Sequence, residues 1–283
     1  MKYAVTAWSY HATGLDLFSM ADHAKKAGFD AFEVLDLPCP EDEALDYARR
    51  FRAHCDALGL EIVSAAVYGD FLKGCDGDLQ KEIERLCRKV DVAEALGCKK
   101  MRHDVTWGIP ESMEGATFED ILPRLAEGAR AVTEYAAKKG IRTMTENHGQ
   151  LAQGWKRMIQ LVKAVDHENY GILADMGNCT WIDDEPVEFI REVMPYTFHV
   201  HCKDLLMFPA GTDKDGCFSP SASGRPRRPT VVGHGHVDVK ACLAEVKKAG
   251  YDDVLVVEFE GPEAPLNAIE VSLANVKRYW DAV

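Results

Sequence analysis

The sequence predicts an α/β fold, a (β/α)8 barrel of parallel strands in one domain spanning residues 1–283, and three observations carry that expectation. Apolar strand-like runs alternate with amphipathic helical stretches eight times along the chain, which implies parallel strands joined by right-handed crossovers. Five joints between them share a glycine, at Gly28, Gly59, Gly97, Gly140 and Gly250. The length of 283 residues suits a barrel of about 250 residues. A doubly wound sheet fits less well, because no GxGxxG fingerprint follows the first strand.

The elements follow in order. A strand over 3–8, Tyr3-Ala4-Val5-Thr6-Ala7-Trp8, opens the chain, and a helix over 15–27 closes at Gly28. A glycine just past a helix adopts the left-handed conformation that ends the last turn, and a buried strand then follows. The same logic sets strand 30–35, helix 41–58, strand 60–67, helix 78–96, strand 98–103, helix 117–139 and strand 141–146. Helix 154–165, strand 170–175, helix 185–193, strand 196–203, helix 238–249, strand 253–259 and helix 264–282 complete the alternation, with apolar residues at helical spacing in each helix. Only 204–235 lacks periodicity. It contains Pro209-Ala210-Gly211, Asp213-Lys214-Asp215-Gly216 and the arginines Arg225, Arg227 and Arg228. A loop of that length leaving one barrel face is a candidate lid; the alternative is a disordered insertion with solvated arginines.

Composition narrows the partners. With 46 acidic and 33 basic residues the formal charge is -13, which repels a nucleic-acid backbone. Nucleic acid is not an expected partner. Nine cysteines, an odd number with no CxxC pair, predict reduced thiols of a cytoplasmic protein rather than a disulfide scaffold. No signal-peptide region and no run of membrane-spanning length is present, so a soluble protein with no membrane partner is expected.

Four metal-ligating side chains stand where apolar runs stop: Glu146, Asp175, His201 and Glu258. The carboxyl ends of barrel strands open onto one face, where residues distant in sequence converge. Three carboxylates and an imidazole suit one divalent ion, Mn2+ foremost, with Mg2+, Co2+, Fe2+ or Zn2+ also compatible; no thiolate of a structural zinc site is included. Strand alternation puts His148 on the side of Glu146, His199 and Lys203 on that of His201, and Glu260 beyond Glu258. Each has a plainer reading. Asp175 alone suits a cap, His199 a core histidine, and Lys203-Asp204 a surface ion pair.

The motifs Thr145-Glu146-Asn147-His148-Gly149, Ala174-Asp175-Met176-Gly177-Asn178, His199-Val200-His201-Cys202-Lys203-Asp204, Gly233-His234-Gly235-His236-Val237-Asp238 and Val257-Glu258-Phe259-Glu260-Gly261 resemble the xylose isomerase-like TIM barrels. That superfamily includes sugar phosphate isomerases and epimerases, ketose 3-epimerases, inosose dehydratase and endonuclease IV. The resemblance covers essentially the whole chain and implies the same four metal ligands. It departs from endonuclease IV-like members, since Asn178, Tyr68, Arg227 and Arg228 stand where further ligands belong. Like the ketose epimerases, the chain has two glutamates, Glu146 and Glu258, that would exchange a proton through a metal-stabilised enediolate. Asn178 replaces a histidine that contacts substrate in those relatives. His148 and Lys203 look like the base and acid of the dehydratase-like branch.

The resulting expectation is a divalent-metal-dependent isomerase or epimerase of a small keto-sugar or sugar derivative, with Glu146, Glu258, His148 and Lys203 catalytic. The alternatives are a lyase, inosose dehydratase-like or C-glycoside-cleaving, and a non-catalytic metal-binding subunit. Trp8 is expected to wall the substrate or plug the barrel. Glu33 and His103 are expected to bond substrate hydroxyls or to serve as buried structural partners. Arg225, with Arg227 and Arg228, is placed to hold a phosphate under a closed lid, although an unphosphorylated substrate is favoured because no glycine-rich cradle is present. Homo-oligomers are common in the superfamily, which leaves self-association open.

Overall fold

The computed structural model describes all of residues 1–283 except Gln150, Ala152 and Asp215; the candidate-lid residue Asp215 therefore lies outside the described residues. In chain order the elements are β1 (Lys2–Thr6), α1 (Leu17–Ala27), β2 (Ala31–Val34), α2 (Ala44–Leu58), β3 (Glu61–Val67), α3 (Leu79–Leu96), β4 (Lys100–His103) and α4 (Phe118–Ala137). They continue with β5 (Arg142–Glu146), α5 (Trp155–Val165), β6 (Tyr170–Asp175), α6 (Pro186–Val193), β7 (Thr197–Cys202), β8 (Asp204–Met207), β9 (Ser219–Pro220), β10 (Pro226–Thr230), α7 (Val239–Lys248), β11 (Val254–Val257) and α8 (Pro265–Asp281). The sheet is a closed barrel in the order β1-β11-β7-β6-β5-β4-β3-β2, as the alternation predicts. Among the described residues no helix is long and apolar enough to cross a membrane.

By internal contacts the chain divides into two units, Met1–Phe32 with Ala174–Val283, and Glu33–Leu173. The boundaries fall inside β2 and β6.

In the second unit, β3 pairs parallel with β4 (Val67 opposite His103), β4 with β5 (Arg102 opposite Met144) and β5 with β6 (Glu146 opposite Leu173). Its helices start where side chains can satisfy the first free N–H groups. The Asp78 carboxylate accepts from Lys81 N–H at the head of α3, and Thr117 and Asp120 form a reciprocal capping box on α4. Gly97 ends α3 at φ 81°, and a Cβ there would lie 2.9 Å from the Arg52 guanidinium carbon, so glycine answers both the left-handed turn and the close approach. Beneath the helices Phe51, Leu86, Val90, Leu125 and Val132 are fully buried.

In the first unit, β1 pairs with β11 from Lys2 and Val254 to Val5 and Val257, and β11 pairs with β7. Here the structure corrects the sequence reading twice. Trp8 does not end a strand, because β1 stops at Thr6 and Trp8 sits in a 3-10 turn over Ala7–Tyr10. The stretch 204–235 is not structureless, since β8, β10 and β9 form an antiparallel sheet in that order. Pro229, which has no N–H to donate, pairs with Leu205 at a point beyond the two residues where β9 accompanies β10. The loop is also docked: Ser221 Oγ and Ser223 N–H donate to Asp183, and Ala222 N–H donates to the Trp181 carbonyl. Arg227 is buried, stacks 3.7 Å above the Trp181 ring and donates to Thr180 Oγ1. Burial pushes its guanidinium down to about 10.

Candidate functional site

Glu146 and Asp175 are the last residues of β5 and β6, His201 is next to last on β7, and Glu258 is the first residue past β11. All four are buried. Each offers one ligand atom, and these atoms lie within 4.8 Å of one another. Three hard carboxylates and one imidazole brought together out of water suit a divalent cation, whose charge would offset the mutual repulsion of the acids.

In the first unit, Asp175 does two jobs. Its Oδ1 accepts 2.7 Å hydrogen bonds from Gly177 and Asn178 N–H, while Oδ2 lies 3.9 Å from His201 Nδ1. The capping reading of Asp175 and the ligand reading are thus compatible. Asn178 is buried at the head of the turn Asn178–Ile182. His201 Nδ1 stands 3.1 Å from Glu258 Oε2, and Lys203 Nζ lies 3.4 Å from the same oxygen. Burial would raise the Glu258 pKa, but the Lys203 ammonium and His201 outweigh it and hold the carboxyl well below its ordinary value. Lys203 is buried and also pairs with Glu260 at 2.7 Å, and Glu260 in turn accepts from Trp8 Nε1 at 2.6 Å. The surface-pair alternative for Lys203-Asp204 is therefore wrong. Both residues are buried, and Asp204 bonds the backbone N–H groups of Leu205, Gly233, Gly235 and Val237 instead.

In the second unit, Glu146 Oε2 accepts two hydrogen bonds from Arg102, from Nε at 2.9 Å and Nη2 at 2.6 Å. Arg102 Nη1 donates to Asp104 Oδ2 at 3.2 Å. Asp104 Oδ1 lies 3.3 Å from His148 Nδ1, and the Trp107 ring meets the imidazole edge-on at 4.3 Å between centroids. A carboxylate only accepts, so with the proton on Nδ1 this contact is a hydrogen bond and the Nε2 lone pair is left for other work. Arg102 Nη2 is equally near Nδ1, at 3.3 Å, and also donates to Glu146 at 2.6 Å. Burial would raise the Asp104 pKa; Arg102 and His148 lower it further than burial raises it.

Sequence reading singled out the four candidate ligands, His148 and Lys203, and did not single out Arg102, Asp104 and Trp107. The available signal was Arg102-x-Asp104 on the strand next to Glu146-x-His148, two polar pairs at the same-face spacing. Three substrate-binding expectations have protein partners of their own. His103 is fully buried, with Nδ1 on the Asp104 carbonyl and the ring against Phe71 and Tyr170, the structural role held open for it. Burial lowers its pKa and keeps it neutral. Glu33 is fully buried and accepts from Ser64 Oγ at 2.5 Å. Arg225 is half exposed and lies 3.9 Å from Asp183, so it serves the docked loop and is not brought to the ligand group.

A family model described as a xylose isomerase-like TIM barrel matches residues 21–279. The chain belongs to that family. Within the xylose isomerase-like barrels it is 26% identical over 165 residues to an inosose dehydratase of Lacticaseibacillus casei, covering 58% of this chain and 55% of that one. It is 27% identical over 238 residues to a 3-dehydroshikimate dehydratase of Pseudomonas putida, covering 82% of this chain and 34% of that one. The chain thus spans about half, or less, of the length of these curated relatives. Among solved structures, the IolI protein with a binding zinc atom superposes at a TM-score of 0.77, with 19% identity and coverage of 100% and 99%. That likeness is one of fold.

Proposed function

We propose that this xylose isomerase-like barrel is a divalent-metal-dependent lyase that removes water from a small polyhydroxylated carbonyl compound of the keto-sugar or keto-inositol class. The observation that carries the reading is His148 held through Nδ1 by Asp104, beside a Glu146 whose Oε2 is occupied by Arg102. Epimerisation by two glutamates needs both to exchange protons with substrate. Here Glu146 Oε2 already takes two guanidinium donors and Glu258 Oε2 faces His201 and Lys203, so the oriented imidazole is the better base. The dehydratase names of the sequence relatives agree with that preference.

Glu146, Asp175, His201 and Glu258 would hold the ion, Mn2+ foremost, and a bound divalent ion supplies polarisation of the substrate carbonyl. His148 Nε2 takes the proton from the carbon next to that carbonyl. The electron pair left on carbon forms a C=C bond as the neighbouring C–O bond breaks, and Lys203 protonates the departing hydroxyl, which leaves as water. His148 then gives its proton to solvent and Lys203 regains one. Glu260 aims the ammonium and is itself held by Trp8.

Metal-loaded protein incubated with keto-sugars and keto-inososes in deuterated water tests this by mass spectrometry. Loss of one water supports the lyase. Solvent deuterium in a product of unchanged formula would move the assignment to an isomerase or epimerase, and inertness toward the whole panel would favour a metal-binding subunit.

A further inference from the structure

A cavity of about 150 Å³ lies between the connection that follows β2, strand β3 and helix α3, all in the second unit. None of the candidate metal ligands or proposed catalytic residues lines it. Its floor is aliphatic: Ala65, Val67 and Leu96 are buried, and Leu37 and Val92 are half-buried where it reaches the surface. A cavity of this size with aliphatic walls stays dry and takes up a ring such as benzene. It falls below the about 300–1,000 Å³ of sites for larger ligands, so one small ring fills it. We propose that the cavity is a binding site for a small uncharged ring compound, and that its occupancy is coupled to Tyr68, just past the end of β3.

The charges around the cavity set the class of ligand. Lys89 Nζ pairs with Asp36 Oδ1 at 2.7 Å, Arg85 Nη2 with Glu82 Oε1 at 2.7 Å, and Glu41 Oε1 with Arg88 Nε at 2.6 Å. Burial pushes the Cys39 thiol up, which keeps that part of the wall neutral as well. A charged ligand would have to draw one ion away from its partner and give up its own hydration, whereas a neutral ring is driven in by leaving water.

The coupling runs through two lining residues that hold the backbone of Tyr68. Asp36 Oδ2 accepts from the Tyr68 N–H at 3.1 Å, and Arg85 Nη2 donates to the Tyr68 carbonyl at 2.7 Å. The Tyr68 ring is 45% exposed and stacks on Trp107 with centroids 6.1 Å apart, and Trp107 meets His148 edge-on. A ligand that displaces Asp36 or Arg85 therefore acts on Tyr68, and through packed rings on the residues beyond it.

The inference goes beyond the lyase reading, and its test needs no turnover. Benzene, benzylamine and benzoate are titrated into the whole protein and followed by NMR at the Val67 and Val92 methyls, the Tyr68 amide and the Trp107 indole N–H. Benzene is expected to shift all of these and to bind at least tenfold more tightly than either ion. Val92→Phe and Ala65→Leu fill the cavity from a half-buried and a buried wall, and each is expected to weaken benzene binding about tenfold. Absence of benzene binding, equal binding of either ion, or affinity unchanged in both variants overturns the site. Methyl shifts that leave Tyr68 and Trp107 unmoved overturn the coupling. Failure of the lyase reading would leave these titrations unaffected and would show only in the deuterium experiment.

Discussion

His148 is where the chemistry of this barrel is most exposed to test. Its Nδ1 is fixed by Asp104 and its ring is braced by Trp107, so the Nε2 lone pair is oriented before substrate arrives. His148→Ala is expected to lower turnover by roughly a hundredfold to ten-thousandfold while metal content, read by atomic emission, stays at the wild-type level. Loss of metal together with activity would make His148 a ligand instead. Asp104→Asn should give a smaller loss of turnover with metal retained, since the amide no longer demands a proton on Nδ1. The candidate ligand residues were legible because each closes a strand-like run; Arg102 and Asp104 were not. Alternation along β4 fixes only that they share a face opposite to His103, and nothing within Met101-Arg102-His103-Asp104 states which face meets Glu146. The pairing of Arg102 with Glu146 across adjacent strands decides it.

At the scale of the elements, the β8-β10-β9 sheet converts an apparent loop into an anchored one. Asp204 gathers four backbone N–H groups, and a methyl at Gly235 would overlap its Oδ1 and lie 2.6 Å from the Leu205 carbonyl oxygen. Gly235→Ala should therefore destabilise the protein by about 2 kcal/mol, read as a lower urea midpoint. Asp183→Ala removes the acceptor of Ser221 and Ser223. The expected result is local: faster hydrogen exchange over 219–230 with little change in melting temperature. A global loss of stability would mean that the docked sheet belongs to the core. The helices were legible to within three residues at either end, because caps such as Asp78 and Thr117 and closing glycines are local signals. The sheet was not, because Pro226-Arg227-Arg228-Pro229-Thr230 has neither alternation nor strand propensity and pairs only with the distant Leu205-Leu206-Met207.

Across the whole molecule, buried acids tie stability to pH. Glu82 is 1% exposed; burial would raise its pKa, but Arg85 and the Asp70 N–H outweigh this and lower it from 4.5. A depressed folded pKa adds stability that is present above the unfolded value and lost as pH falls through the folded one. Stability should thus decline below about pH 4.5, and Glu82→Gln should flatten that decline while costing about 3 kcal/mol at neutral pH by removing the charge that pairs with Arg85. Urea unfolding from pH 3 to 7 checks both. The eight-fold alternation, the glycine joints and the acids and imidazole at strand ends are properties of short stretches of chain, so the sequence by itself determined the barrel and the make-up of its candidate ligand group. Which charges clamp Glu146, how His148 is aimed, and that residues 204–235 fold into a sheet are decided only by pairing between segments far apart in sequence. Such pairing depends on strand register and side-chain reach, which no single segment encodes.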